Sequence, residues 1–243
     1  MPNTPSSRGH GVRTRLLDRR ILLLGMASTL AGCVTTAGTS GLTSGGLTPA
    51  ARARYEAMYA AIPDERFPIP AVDISTVDPE YLRQIVPFAG PEQPGTIVVD
   101  PQSRFLYLVM EDGQAMRYGV GVGRAGFEWS GRGVIQYKRA WPRWTPPDEM
   151  VARQPELEPY SIANGGMDPG LGNPLGARAL YIFENGRDTL YRLHGTNEPW
   201  SIGRAVSSGC IRLFNQDIID LYNRTPDGSR VVVRGAASPA PEV

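Results

Sequence analysis

Cysteine and histidine are scarce in this chain, with two of each in 243 positions. No Cys-x-x-Cys pair is present, and Cys210 with His194 falls short of the usual ligand set, so a metal centre is not expected. Surplus charge is also missing. The formal net charge is +1, and no basic patch surrounds the scattered aromatics, which argues against nucleic acid as a partner. Long apolar runs are few, and the one near the N-terminus is too short for a bilayer span of about 20 residues. Gly119, Gly121, Gly123 and Gly126 sit close together, yet no Gly-Lys-Ser/Thr and no helix-forming segment follows them. A twisted strand ending in a glycine-rich turn is the expected form, rather than a phosphate loop. No cofactor is implied.

Glycine (28) and proline (22) are plentiful. With so few helical stretches, they point to a turn-rich, mainly β protein of one or two domains.

Residues 1–32 read as an export signal. Arg13, Arg15, Arg19 and Arg20 form a basic region, and Ile21 to Ala31 an apolar one. The run ends in Leu30-Ala31-Gly32-Cys33, which resembles the bacterial lipobox, and the Arg19-Arg20 pair resembles a twin-arginine signal. Lipid attached at Cys33 would make the protein an exported, periplasmic, membrane-anchored lipoprotein. Removing residues 1–32 deletes five arginines and one aspartate and leaves a net charge of −3. It also removes His10. If Cys33 carries lipid, Cys210 has no partner for an internal disulfide.

Residues 33–47 are Gly/Thr/Ser-rich and are expected to be a flexible linker. Residues 48–94 are expected to be a helical segment packed on the main domain. Thr48-Pro49 caps a helix through Tyr55, Met58, Tyr59 and Ile62, stopped by Pro63. A second helix runs from Asp78-Pro79-Glu80 through Val86 to Pro87. Arg52, Arg54 and Arg83 are expected on solvated helix faces. From Gly95 the pattern turns to β. Strands are expected at Thr96–Asp100, Arg104–Met110, Ala115–Val122, Ala179–Phe183, Thr189–His194 and Ser229–Arg234. Residues 124–177 read as loop-rich, with an ordered flap at Trp141–Pro147 and a short helix around Asp148–Val151. Asn215 is expected to cap a helix through Tyr222. The tail, 235–243, is expected to be disordered.

The chemistry collects at two short motifs, Leu193-His194-Gly195-Thr196 and Ser207-Ser208-Gly209-Cys210-Ile211-Arg212. A free thiol has a pKa near 8.5, and a neighbouring imidazole that takes its proton keeps a nucleophile ready. His194 is the one candidate base left after the signal is removed. Gly209 permits close substrate approach, and the N–H groups of Gly209 and Cys210 suit a developing oxyanion. Arg212 suits a substrate carboxylate. A buried structural cysteine and a satisfied structural histidine are the plainer readings of each residue alone.

These motifs resemble those of the L,D-transpeptidase catalytic domain (YkuD-type) of bacterial cell-wall enzymes. The likeness extends to Ile97–Asp100, Trp144–Pro147 and Asn173–Gly176, spanning about residues 95–234. Ser208 stands where many members carry His. The resemblance implies a mainly β, β-sandwich-like catalytic domain with short helices. It implies that Cys210 attacks the L,D bond of a peptidoglycan stem peptide and releases D-Ala. The acyl group then passes to an amine, forming a 3→3 cross-link or attaching a protein to the wall. His194 is the implied base, the Gly195 carbonyl its partner, and Ser207, Ser208, Gly209 and Arg212 line the substrate site. An L,D-carboxypeptidase using water and a non-catalytic wall-binding lipoprotein are the alternative readings.

Overall fold

The computed structural model describes residues 42–43, 46–123, 129–206 and 211–235. The export signal, Cys33, most of the linker, the residues after 235 and the Ser207-Ser208-Gly209-Cys210 segment lie outside the described residues.

The strands Leu42–Thr43 (β1) and Gly46–Leu47 (β2) pair antiparallel. These strands fall within the expected linker, and Leu47 packs on the cluster around Tyr55 and Tyr59. The remaining strands are Gln84–Pro87 (β3), Ile97–Asp100 (β4), Phe105–Val109 (β5), Gln114–Gly119 (β6), Gly121–Gly123 (β7), Gly131–Ala140 (β8), Arg178–Glu184 (β9), Arg187–His194 (β10), Ala205–Val206 (β11), Ile211–Arg212 (β12) and Arg230–Val233 (β13). They form one mixed sheet ordered β11-β7-β12-β10-β9-β8-β13-β4-β5-β6-β3. The fold is mainly β, as the composition indicates.

Strands β4 and β5 are buried along their whole length, and the two-residue period explains where each side chain goes. Ile97, Val99, Leu106 and Leu108 face a core shared with Ile135, Leu180, Ile182, Leu193 and Ile211. Val98, Phe105, Tyr107 and Val109 face a second cluster with Val86 and Phe88. The helix Asn215–Arg224 (α3) closes the first core with Ile218 and Leu221.

Three expectations fail here for physical reasons. β8 is the longest strand, yet it lies in the stretch read as loop. Only Ile135 of its ten residues is fully buried, so no apolar alternation marks it, and it is held by ladders to β9 and β13. Residues 79–87 form a single 3-10 turn, Pro79–Tyr81, followed by β3. Ile85 is exposed and Val86 buried, a strand alternation that mimics helical spacing over so few residues. The first helix, Pro49–Met58 (α1), begins as read, with the Thr48 hydroxyl accepting from Ala51 N–H at 3.2 Å. It stops at Met58, four residues early, because Ile62 pairs with Ile69 instead.

The segment before the sheet grips α3. The Tyr59 hydroxyl donates to Asp217 Oδ2 at 3.0 Å and accepts from Arg83 N–H at 2.7 Å. Arg83 lies 2.9 Å from Asp220 and 3.6 Å from Asp217, with its side chain 12% exposed. It is an interior ion-pair residue, not a solvated one. Gln216 Nε2 donates to Pro70 O at 3.0 Å, and Glu65 holds both Arg178 and the Trp141 indole N–H. Trp141 is thereby a packed residue of the 141–147 segment, against Phe67, and Asp148–Arg153 (α2) follows it.

Candidate active site

His194 is the last residue of β10 and is 3% exposed. Its strand runs antiparallel to β9 on one side and parallel to β12 on the other, with Leu193 opposite Ile211 and His194 opposite Arg212. Ile211 directly follows Cys210 in the chain, so the pairing brings the C-terminal flank of the thiol motif beside the histidine motif. The N-terminal flank is fixed as well. β11 runs parallel to β7 with Val206 opposite Gly123, and β12 runs antiparallel to β7 with Ile211 opposite Val122. Both ends of the Ser207–Cys210 segment are thus tied to neighbouring positions of one short strand. Cys210, Gly209, Ser208 and Ser207 themselves are outside the described residues.

His194 Nδ1 lies 2.6 Å from the Gly195 carbonyl oxygen. A carbonyl only accepts, so Nδ1 carries the proton and the neutral ring keeps its lone pair on Nε2. Burial pushes the imidazole down to about 4. The Gly195 and Pro174 carbonyls pull upward, and the Arg212 and Arg192 cations push further down. The ring is therefore neutral near pH 7, the form that can accept a proton.

Arg212 is 7% exposed, and its Nη1 meets Glu198 Oε2 at 2.6 Å. Glu198 carries no sequence signal; it lies on the loop between the two motifs and shows itself only through this contact. Asn173 is 1% exposed and organises its turn, donating to Pro142 O and Asp168 O at 3.1 Å each and accepting from Leu175 N–H at 2.9 Å. Asn215 is not a helix cap. Phe214 holds that position, and the Asn215 amide turns instead to Ala177 and Thr196.

A groove of about 590 Å³ opens beside this loop, lined by Thr196, Asn197 and the exposed Trp200 together with Val72, Asp73 and Tyr81. Among the described residues, no group of three or more His, Cys, Asp or Glu could hold a metal ion, and no helix is long and apolar enough to cross a membrane.

The family model for the L,D-transpeptidase catalytic domain (YkuD) matches residues 94–233. The chain belongs to this family. It is 35% identical over 143 residues to the probable L,D-transpeptidase YbiS of Escherichia coli, covering 56% of this chain and 43% of that protein. It is 41% identical over 85 residues to the putative L,D-transpeptidase YkuD of Bacillus subtilis, covering 35% and 48%. The chain thus spans under half the length of either relative. Among solved structures, a Brucella melitensis protein named as a probable carnitine operon oxidoreductase is 47% identical, covering 67% of this chain and 99% of that one with a TM-score of 0.46.

Two buried groups of this L,D-transpeptidase-family domain oppose each other in pH. Burial raises the Asp217 carboxyl to about 7, against the pull of Arg83 and the Tyr59 hydrogen bond. The folded state then holds a proton that an unfolded Asp releases near 3.9, so this group's contribution falls as pH rises from 4 to 7. His194 acts the other way. Its folded value of about 4 lies below the unfolded 6.5, so stability is lost as pH falls through that window. Between pH 4 and 6.5 these two slopes have opposite signs. Asp217→Asn is expected to gain stability relative to wild type by about 1.4 kcal/mol per pH unit over pH 4–7. Urea titrations at pH 4.5 and 6.5 check this; a pH-independent difference contradicts it.

Proposed function

We propose that this chain is a peptidoglycan L,D-transpeptidase in which Cys210 is the nucleophile and His194 its base. The observation that carries the reading is the His194 Nδ1 to Gly195 O contact at 2.6 Å, on a strand paired with the one that begins directly after Cys210. The Cys210 thiol gives its proton to His194 Nε2, and the thiolate attacks the carbonyl of the L,D bond between the third and fourth stem residues. The His194 proton goes to the leaving amine as that bond breaks, releasing D-Ala and leaving a thioester on Cys210. An incoming amine attacks the thioester and loses its proton to His194, which returns it to the sulfur.

The N–H groups of Gly209 and Cys210 serve the oxyanion, a role worth roughly 2.7–4 kcal/mol per donor, and Ser207 and Ser208 line the same turn. Arg212 receives a substrate carboxylate, which takes the place Glu198 holds in the free protein. The groove lined by Thr196 and Asn197, on the loop that follows the base, gives the stem peptide a seat. Cleavage of the signal and acylation of Cys33 would anchor the domain in the periplasm. The partners are then stem peptides, a stem amine or a wall-attached protein as the acceptor, and a membrane through the lipid.

Product masses test the reaction type. Incubation of a tetrapeptide muropeptide with an amine acceptor is expected to give a cross-linked dimer with loss of D-Ala. A trimmed tripeptide alone, unchanged by added amine, identifies water as the acceptor and a carboxypeptidase. No product of either kind leaves the wall-binding reading.

A further inference from the structure

We propose that Asn215 is a positioning residue that holds the peptide after the base, so that the Gly195 carbonyl stays on His194 Nδ1. The inference rests on the reading of His194 as base for Cys210, and it adds a residue to which that reading gives no part. Asn215 opens α3, where it resembles a cap, but its amide faces away from the helix. Oδ1 accepts from Ala177 N–H at 2.9 Å, and Nδ2 donates to Thr196 O at 3.0 Å. The orientation of the amide is forced, because the first partner can only donate and the second can only accept.

The two loops close around this amide. A Cβ on Gly195 would stand 2.3 Å from Asn215 Oδ1, and one on Gly176, whose φ is +60°, would stand 2.4 Å from it. Neither position has room for a side chain, so the glycines allow the close approach. Gly195 N–H also donates to Arg178 O at 3.0 Å. Gly195 is therefore fixed on its N-terminal side by β9 and on its C-terminal side, through Thr196, by Asn215. The peptide units on both sides are thus held, and the Gly195 carbonyl between them points at the imidazole. An amide is required for this. Asp keeps the acceptor for Ala177 but sets an oxygen against Thr196 O, and Ala loses both contacts.

The charged groups around the ring are Arg212 on β12 with its partner Glu198, and Arg192 on β10 with its partner Asp188. None of them touches Asn215, so substituting it leaves their charges in place. The test is the pH profile of Cys210 alkylation by iodoacetamide in the full chain, for wild type, Asn215→Ala, Asn215→Asp, His194→Gln and the Asn215→Ala/His194→Gln pair. The wild-type midpoint is expected below the 8.5 of a free thiol. Asn215→Ala and Asn215→Asp are expected to move it up by about one unit, a tenfold loss of rate below the midpoint. In the His194→Gln background, Asn215→Ala is expected to change nothing further, since it acts through the ring.

Asn215→Asp retains one loop contact and so keeps the test open if Asn215→Ala unfolds. An unshifted profile in folded Asn215 variants, whatever their thermal midpoint, overturns the proposal. So does an equal shift with His194 already replaced. A wild-type profile in His194→Gln removes the base reading and this inference together, whereas failure of the Asn215 variants alone leaves the base reading standing.

Discussion

Cys210→Ala is expected to abolish both acyl transfer and thiol alkylation while the thermal transition stays cooperative. The covalent route splits one difficult exchange into two easier ones, and without a nucleophile neither half begins. The loss should be at least about 10⁴-fold, which places the variant at the assay background. The flanks of the motif explain why folding should survive. Val206 and Ile211 are tied to β7, and Ile211 also to β10, through backbone ladders, and these do not depend on the thiol. Steady-state release of D-Ala measures the first effect and circular dichroism the second. Residual transfer in folded Cys210→Ala would reassign the nucleophile.

His194→Gln is the second large effect, with an expected fall in kcat/KM of about 10²–10⁴-fold, the usual worth of a general base. Glutamine is similar in size and polar, but it cannot take a proton at neutral pH. The pH dependence of the remaining activity separates this role from a structural one. With the base gone, the rate should rise with pH toward the free-thiol value near 8.5, as hydroxide generates the thiolate directly. A structural histidine would instead show unchanged pH dependence and a lower thermal midpoint.

Much of the fold was readable where the signals are local. The Thr48-Pro49 start of α1, the β4–β5 hairpin and the β9–β10 pair carry their turn and alternation patterns in adjacent residues. β8 did not, because most of its ten positions are polar or half-buried and the ladders that hold it come from strands far along the chain. Arg83 looked solvated because its partners, Asp217 and Asp220, lie on α3. Asn215 sits where a cap belongs, and tertiary partners overrode that preference.

In the site, His194 was legible from the motif and the Gly195 carbonyl only through the family resemblance; the two lie 2.6 Å apart. Glu198 was not, since a lone acidic residue in a loop gives no sign of the arginine it will meet. The fit of Gly176 and Gly195 around one amide is likewise a property of three separate segments, and no single stretch contains it.

The most direct measurement is intact-mass analysis with peptide mapping after the chain meets a tetrapeptide muropeptide under acid quench. The account predicts a mass gain equal to the donor less D-Ala, located on the peptide that contains Cys210, absent from Cys210→Ala and discharged by an added amine. An acyl group on any other residue, or turnover of the donor with no adduct on Cys210 at any time point, would contradict it.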